Sequence, residues 1–146
     1  LIASYIFYPF AWLMGVPPGD CLAVGSLLGT KVVVNEFAAY AQLSQMMAEG
    51  SLSDRAITIA TYALCGFSNI GSIGVTIGVL SSLTKPEKRK MITKLATSTM
   101  IAGNTACFMT AAVAGLFYDP VIEASVEASD SLIEENIGNF TNATNV

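Results

Sequence analysis

Histidine does not occur in this chain, and charged residues fill only 12% of its 146 positions. The first absence excludes Ser-His-Asp and Cys-His nucleophilic catalysis, histidine-based zinc sites and the H-E-x-x-H metalloproteases. No other nucleophile–base pair stands out, so an enzyme is not expected. Ordinary soluble domains carry about 25% charged residues. The shortage here, with 53% hydrophobic residues and a mean hydropathy of +0.58, reads as a membrane protein. Cysteine is sparse as well. Cys21, Cys65 and Cys107 stand far apart in apolar surroundings without a C-x-x-C, which reads as packed free thiols rather than a disulfide framework. Leu1-Ile2-Ala3-Ser4-Tyr5 carries neither an initiator Met nor a signal-peptide pattern, and the expectation is a C-terminal fragment with further spans upstream.

The few charges are segregated. Five of the seven basic residues (Lys85, Lys88, Arg89, Lys90, Lys94) lie within 85–94, and six of the eleven acids (Asp119, Glu123, Glu127, Asp130, Glu134, Glu135) within 119–146. A basic run can attract nucleic acid, but beside an apolar stretch the positive-inside rule accounts for it as a cytoplasmic loop over 85–94. No nucleic-acid partner is expected.

Residues 56–84 form a run of 29 without a charge, interrupted by Cys65-Gly66-Phe67-Ser68-Asn69-Ile70-Gly71-Ser72-Ile73-Gly74. The run is long enough to cross a bilayer, which takes about 20 apolar residues as a helix. Its centre holds glycines, serines and an asparagine where leucines would suit lipid. Gly66-Phe67-Ser68-Asn69 invites unwinding, because Gly is a poor helix former and Ser and Asn compete for backbone partners. Unwound backbone at membrane depth survives only where protein or a water-filled cavity satisfies it. Two readings follow: a broken transmembrane helix over 55–84 that lines a polar binding site, or tight packing through Gly74-x-x-x-Gly78.

Residues 1–17 are apolar and aromatic (Tyr5, Phe7, Tyr8, Phe10, Trp12), with Pro9 expected to break their middle. They read as an interfacial helix or the end of a truncated span. Pro17-Pro18-Gly19-Asp20 makes a turn, with Asp20 a candidate N-cap. Over 18–48, two half-length apolar runs, the first ending near Gly29, flank a polar tip, the pattern of a re-entrant hairpin. Lys31 falls where helix carbonyls favour a cation, Asn35 can cap the second half-helix, and Glu36 sits in that helix's first turn, where free N–H groups favour an anion. A carboxylate between apolar runs is expensive and usually faces a cavity or a partner; the alternative is that Glu36 pairs with Lys31 to hold the tip. Ser53 is a candidate cap for the next helix. Residues 95–118 form a final transmembrane helix with small and polar residues for packing on protein. The acidic tail, 119–146, reads as flexible and carries two sequons, at Asn139 and Asn142. With 85–94 cytoplasmic, one crossing places this tail outside, where glycosylation occurs.

At Gly29-x-Lys31-x-x-x-Asn35-Glu36-Phe37-Ala38-Ala39-Tyr40 the chain resembles the concentrative nucleoside transporters, whose signature is G-x-K-x-x-x-N-E-F-V-A-Y/F; Ala38-Ala39 stands where that string has Val-Ala. Tyr62-Ala63-Leu64 followed by the 65–74 string, and Tyr8-Pro9-Phe10 with Gly15-Val16-Pro17, extend the likeness over roughly residues 1–118. The resemblance implies an all-α membrane protein: re-entrant helical hairpin, broken transmembrane helix and final transmembrane helix, part of a larger elevator-type transporter. It implies a plasma-membrane homotrimer that couples nucleoside uptake to sodium, with the main sodium site upstream and no metal site in this fragment. It also implies substrate contacts from Glu36, Phe67, Asn69 and Ser72.

The chemistry of these side chains agrees. A carboxylate accepts hydrogen bonds from two neighbouring ribose hydroxyls, Asn69 offers a donor and an acceptor, and Phe67 can press on a flat base. Ser72 lies one helical turn beyond Asn69. Cys65, beside the break, reads as a buried structural thiol or as one open to the cavity. A passive channel, or a structural subunit whose glycines serve only packing, is the rival class, and only a coupled transporter accumulates its substrate against a gradient.

Overall fold

A computed structural model describes residues 2–119 and Ile133. The sequons at Asn139 and Asn142, and the tail that carries them, lie outside the described residues. The elements are α1 (Ile2–Leu13), α2 (Cys21–Val33), α3 (Glu36–Ala48), α4 (Asp54–Leu64), α5 (Ile70–Leu83), a single 3-10 turn (Pro86–Lys88) and α6 (Arg89–Phe117). No strand occurs among the described residues. The described residues up to Leu116 form one compact unit.

The two half-helices of the hairpin are α2 and α3, joined by residues 34 and 35 alone. Asn35 has extended backbone and its Oδ1 accepts from Ala38 N at 2.8 Å, which satisfies one of the free N–H groups that open α3. Asp20 precedes α2 but does not cap it. Its backbone is helical rather than extended, and its Oδ2 instead accepts from the Ser53 hydroxyl and from Ser53 N at 3.3 Å. Ser53 itself caps α4, accepting from Ala56 N.

One break expected from composition is absent. α1 continues through Pro9, because a proline inside a helix removes one backbone bond, and tertiary packing can outweigh that loss. The packing is extensive: α1 lies against α2 more than any other two elements meet. α2 runs past the apolar stretch to Val33, with Lys31 in its last turn as expected. Gly25 and Gly29, one turn apart, face α1. A methyl on Gly25 would stand 2.5 Å from Ser4 O, and one on Gly29 would stand 2.6 Å from Ala3 Cβ. Small residues at this spacing let helix backbones approach closely. The Gly74-x-x-x-Gly78 pair makes no such contact, since a methyl at either position meets nothing within 4 Å.

In α4 the buried residues are Ala56, Ile59, Ala60, Ala63 and Leu64. That i, i+3, i+4, i+7, i+8 stripe is one helical face, and it packs with Val24, Leu27 and Leu28 of α2 and Leu43 of α3 in a common core. α5 has no buried residue. The basic stretch 85–94 is not a loop: Pro86 opens the 3-10 turn and α6 starts at Arg89. Lys and Arg are good helix formers, so the charges mark the edge of the apolar run and not the end of the helix. With its preceding turn, α6 is the one described helix long and apolar enough to cross a membrane (Pro86–Phe117).

Candidate functional site

The uncharged run is interrupted between Leu64 at the end of α4 and Ile70 at the start of α5. Gly66 lies in the break with φ +147°, a backbone conformation open to glycine and strained for other residues. The end of a helix leaves carbonyls without intrahelical donors, and side chains from three other elements take them up. Tyr40 of α3 donates its hydroxyl to Thr61 O at 2.8 Å. Lys31 of α2 donates Nζ to Ala63 O at 2.8 Å. From α6, Cys107 Sγ donates to Cys65 O at 2.9 Å and Asn104 Nδ2 to Ser68 O at 2.8 Å. The break is therefore a built feature, anchored on the hairpin and on α6.

Its far side is organised by Asn69. Asn69 caps α5, with Oδ1 accepting from Ser72 N at 2.7 Å, while Ser72 Oγ accepts from Asn69 N at 3.2 Å and donates to Asn69 O at 2.7 Å. This reciprocal capping box leaves the Asn69 Nδ2 group pointing outward. It donates to Glu36 Oε2 at 2.9 Å. Both side chains are buried. Glu36 is the first residue of α3, so the amino ends of α3 and α5 meet through this pair. Both helix termini favour negative charge between them. The hairpin tip is close by: a methyl on Gly71 would lie 4.0 Å from Val34 O.

The carboxylate does not pair with Lys31. Lys31 is fully buried, bonded to Ala63 O, and its Nζ lies 5.7 Å from the centre of the Phe108 ring. Phe67 is exposed and stacks at a tilt on exposed Phe37, their ring centres 6.3 Å apart. Ser72 is committed to the cap, with one lone pair of its hydroxyl left for anything else. Cys65 is exposed, unlike buried Cys21. A buried structural role for Cys65 is thereby corrected, because the unwound backbone turns the side chain away from the core that α4 faces.

Sequence reasoning brought Glu36, Asn69, Phe67, Ser72, Asn35 and Lys31 into view, and the fold gathers them at the tip and the break. It passed over Tyr40 and Asn104, which support the break, and Phe37, which pairs with Phe67. Tyr40 and Phe37 lie inside the 29–40 string. Asn104 had the signal of an amide in an uncharged span. A cavity of about 340 Å³ opens beside the break between α5 and α6, lined by Phe67, Ser68, Ser72, Thr76, Thr99 and apolar neighbours. Glu36 and Asn69 do not line it. The buried carboxylate–amide pair, which can direct hydrogen bonds at a polar ligand, locates the site better than this largely apolar groove.

Comparison with known proteins adds an independent observation. Residues 1–115 match the family model for the Na+ dependent nucleoside transporter C-terminus. Solute carrier family 28 member 3 of Homo sapiens is 46% identical over 129 residues, covering 80% of this chain and 18% of that protein. Sodium/nucleoside cotransporter 1 of Rattus norvegicus is 42% identical over 133 residues, covering 82% of this chain and 20% of that protein. A solved structure of CNTnw in an inward-facing substrate-bound state superposes with a TM-score of 0.74 at 42% identity, over 80% of this chain and 28% of that one. The chain thus spans a small part of each relative's length.

Proposed function

Because the chain belongs to the Na+-dependent nucleoside transporter family, we propose that it supplies the ribose-binding half of the substrate site in a sodium-coupled nucleoside symporter of the plasma membrane. The observation that carries this reading is the 2.9 Å bond between Asn69 Nδ2 and Glu36 Oε2, two buried polar side chains at two adjoining helix starts. Glu36 keeps a second carboxylate oxygen and Asn69 a second amide N–H, which together accept from and donate to neighbouring hydroxyls of a sugar. Ser72 holds Asn69 at its angle. Phe67 and Phe37 offer exposed rings to the base.

A site built to bond hydroxyls rejects analogues that lack them, because its own polar groups are then left unpaired. The hairpin and the break move together, in an elevator-like exchange between the two membrane faces, within a homotrimer. The tail faces the outside and is glycosylated at Asn139 and Asn142.

Sodium is the coupling ion, and its main site lies in the upstream part of the transporter. Among the described residues, the carbonyls at the break, Thr61 O, Ala63 O, Cys65 O and Ser68 O, each already accept a hydrogen bond from a side chain.

The test is uptake of radiolabelled uridine and adenosine by the full-length protein in proteoliposomes, with and without a sodium gradient. The native protein accumulates nucleoside only with sodium. Glu36→Gln and Asn69→Ala each lose about tenfold to a hundredfold in uptake at equal protein incorporation, the scale of a hydrogen bond to a charged group. Passive equilibration without accumulation, or native-like uptake by both variants, overturns the proposal.

A further inference from the structure

Lys31 takes no part in the substrate contacts proposed above, yet it is a fully buried cation with no acidic partner among the described residues. Its Nζ is satisfied by Ala63 O at 2.8 Å and by the face of Phe108, 5.7 Å from the ring centre. A buried charge without a counter-ion is destabilising unless its surroundings compensate it. The surroundings here do so in a particular way. In an unbroken helix Ala63 O would accept from the N–H four residues on, at Phe67. The chain leaves helical geometry at Cys65, so the carbonyl is left at the negative end of the α4 dipole, where a cation is favoured. A ring face within about 6 Å adds to that attraction.

The arrangement is paired across the site. Lys31 is in the last turn of α2 and Glu36 opens α3, on either side of the hairpin tip. Ala63 lies at the end of α4 and Asn69 caps α5, on either side of the break. The hairpin therefore presents its cation to the carboxyl end of one half-helix and its anion to the amino end of the other. One bond fixes the near side of the break and one the far side.

We propose that Lys31 is a positioning residue of the substrate site, a tethered cation whose charge, and not its bulk, locks the hairpin to the carboxyl end of α4 and so sets the spacing of Glu36 and Asn69. Its ammonium takes a carbonyl that the break leaves without an intrahelical donor, so a fixed charge of the chain itself shapes this half of the substrate site. The effect on transport rests on the function proposed above, whereas the effect on the break does not.

The test uses the full-length protein and two readouts. Hydrogen exchange measured by mass spectrometry over residues 60–70 reports the break directly, and nucleoside KM and maximal rate report the site. Lys31→Met, neutral and of similar length, speeds exchange at the break roughly tenfold. It raises the nucleoside KM about tenfold or more with little change in maximal rate or in the sodium concentration for half-maximal uptake, since a charged hydrogen bond is lost and no sodium ligand is touched. Native exchange and native KM in this variant overturn the proposal. Should Lys31→Met not reach the membrane, fluorinated phenylalanines at position 108 decide it, because they weaken the ring's attraction for a cation at nearly constant shape. KM rising stepwise with fluorination supports the tethered cation, and a flat series overturns it. A native protein that takes up no nucleoside sinks the transport reading alone, and the exchange comparison still decides the role of Lys31.

Discussion

Single side chains set the chemistry of the site, and the sequence exposed them unevenly. Glu36 and Asn69 were legible because a carboxylate or an amide within an apolar run has to meet something polar. Which partner each one meets was not. A lysine and a glutamate five residues apart could have paired, and only the fold turns Lys31 to Ala63 O while Glu36 takes Asn69. Ser72 has the right type and spacing for a ligand contact, yet its hydroxyl bonds the backbone of Asn69. Gly66 gives the sharpest prediction at this scale. With φ +147° and a methyl that would stand 2.7 Å from Cys107 Sγ, Gly66→Ala strains the backbone and pushes α6 off the break. The expected loss is about 1–3 kcal/mol of stability, read as a lower thermal midpoint of the purified full-length protein. An unchanged midpoint would mean that the break relaxes freely.

Helices were read well as apolar segments and poorly at their ends. Apolar length and polar interruption are sequence properties, and the helices α2 and α3, the interruption at 65–69 and the long apolar α6 all fall on segments that composition marked. It misplaced the start of α6, which takes in Arg89, Lys90 and Lys94, because charge ends an apolar run without ending a helix. It offered Gly74-x-x-x-Gly78 as one candidate packing motif, whereas the close helix contact within this chain is at Gly25-x-x-x-Gly29. Gly74-x-x-x-Gly78 and Gly25-x-x-x-Gly29 have the same pattern, and tertiary contact alone tells them apart. Gly25→Ala drives a methyl into the Ser4 carbonyl and forces α1 from α2, with a destabilisation of about 1–3 kcal/mol expected of overpacking. Gly74→Ala meets open space within this chain and leaves the contacts described here intact. Thermal unfolding of the two full-length variants checks the contrast: a midpoint drop for Gly25→Ala with none for Gly74→Ala supports it, and equal drops would show that Gly74 packs on another part of the transporter.

For the molecule as a whole, the distribution of apolar surface agrees with a membrane component that meets further protein or lipid. Val75 and Val79 of α5, and Leu95, Ile101, Met109 and Leu116 of α6, are exposed, while the core gathers α1 to α4 around the hairpin. That class was plain from the shortage of charge. Transport was not plain from composition; the 29–40 and 62–74 strings pointed to it as a resemblance, and the family match over residues 1–115 shows the family. The central claim is that Glu36 and Asn69 grip the sugar, and a thermodynamic cycle addresses it directly. Binding of uridine and of 3′-deoxyuridine to purified full-length protein is measured for the native chain and for Glu36→Ala. The account predicts that the native protein prefers uridine by about tenfold or more and that the preference falls to near unity in Glu36→Ala. An undiminished preference in the variant would contradict it.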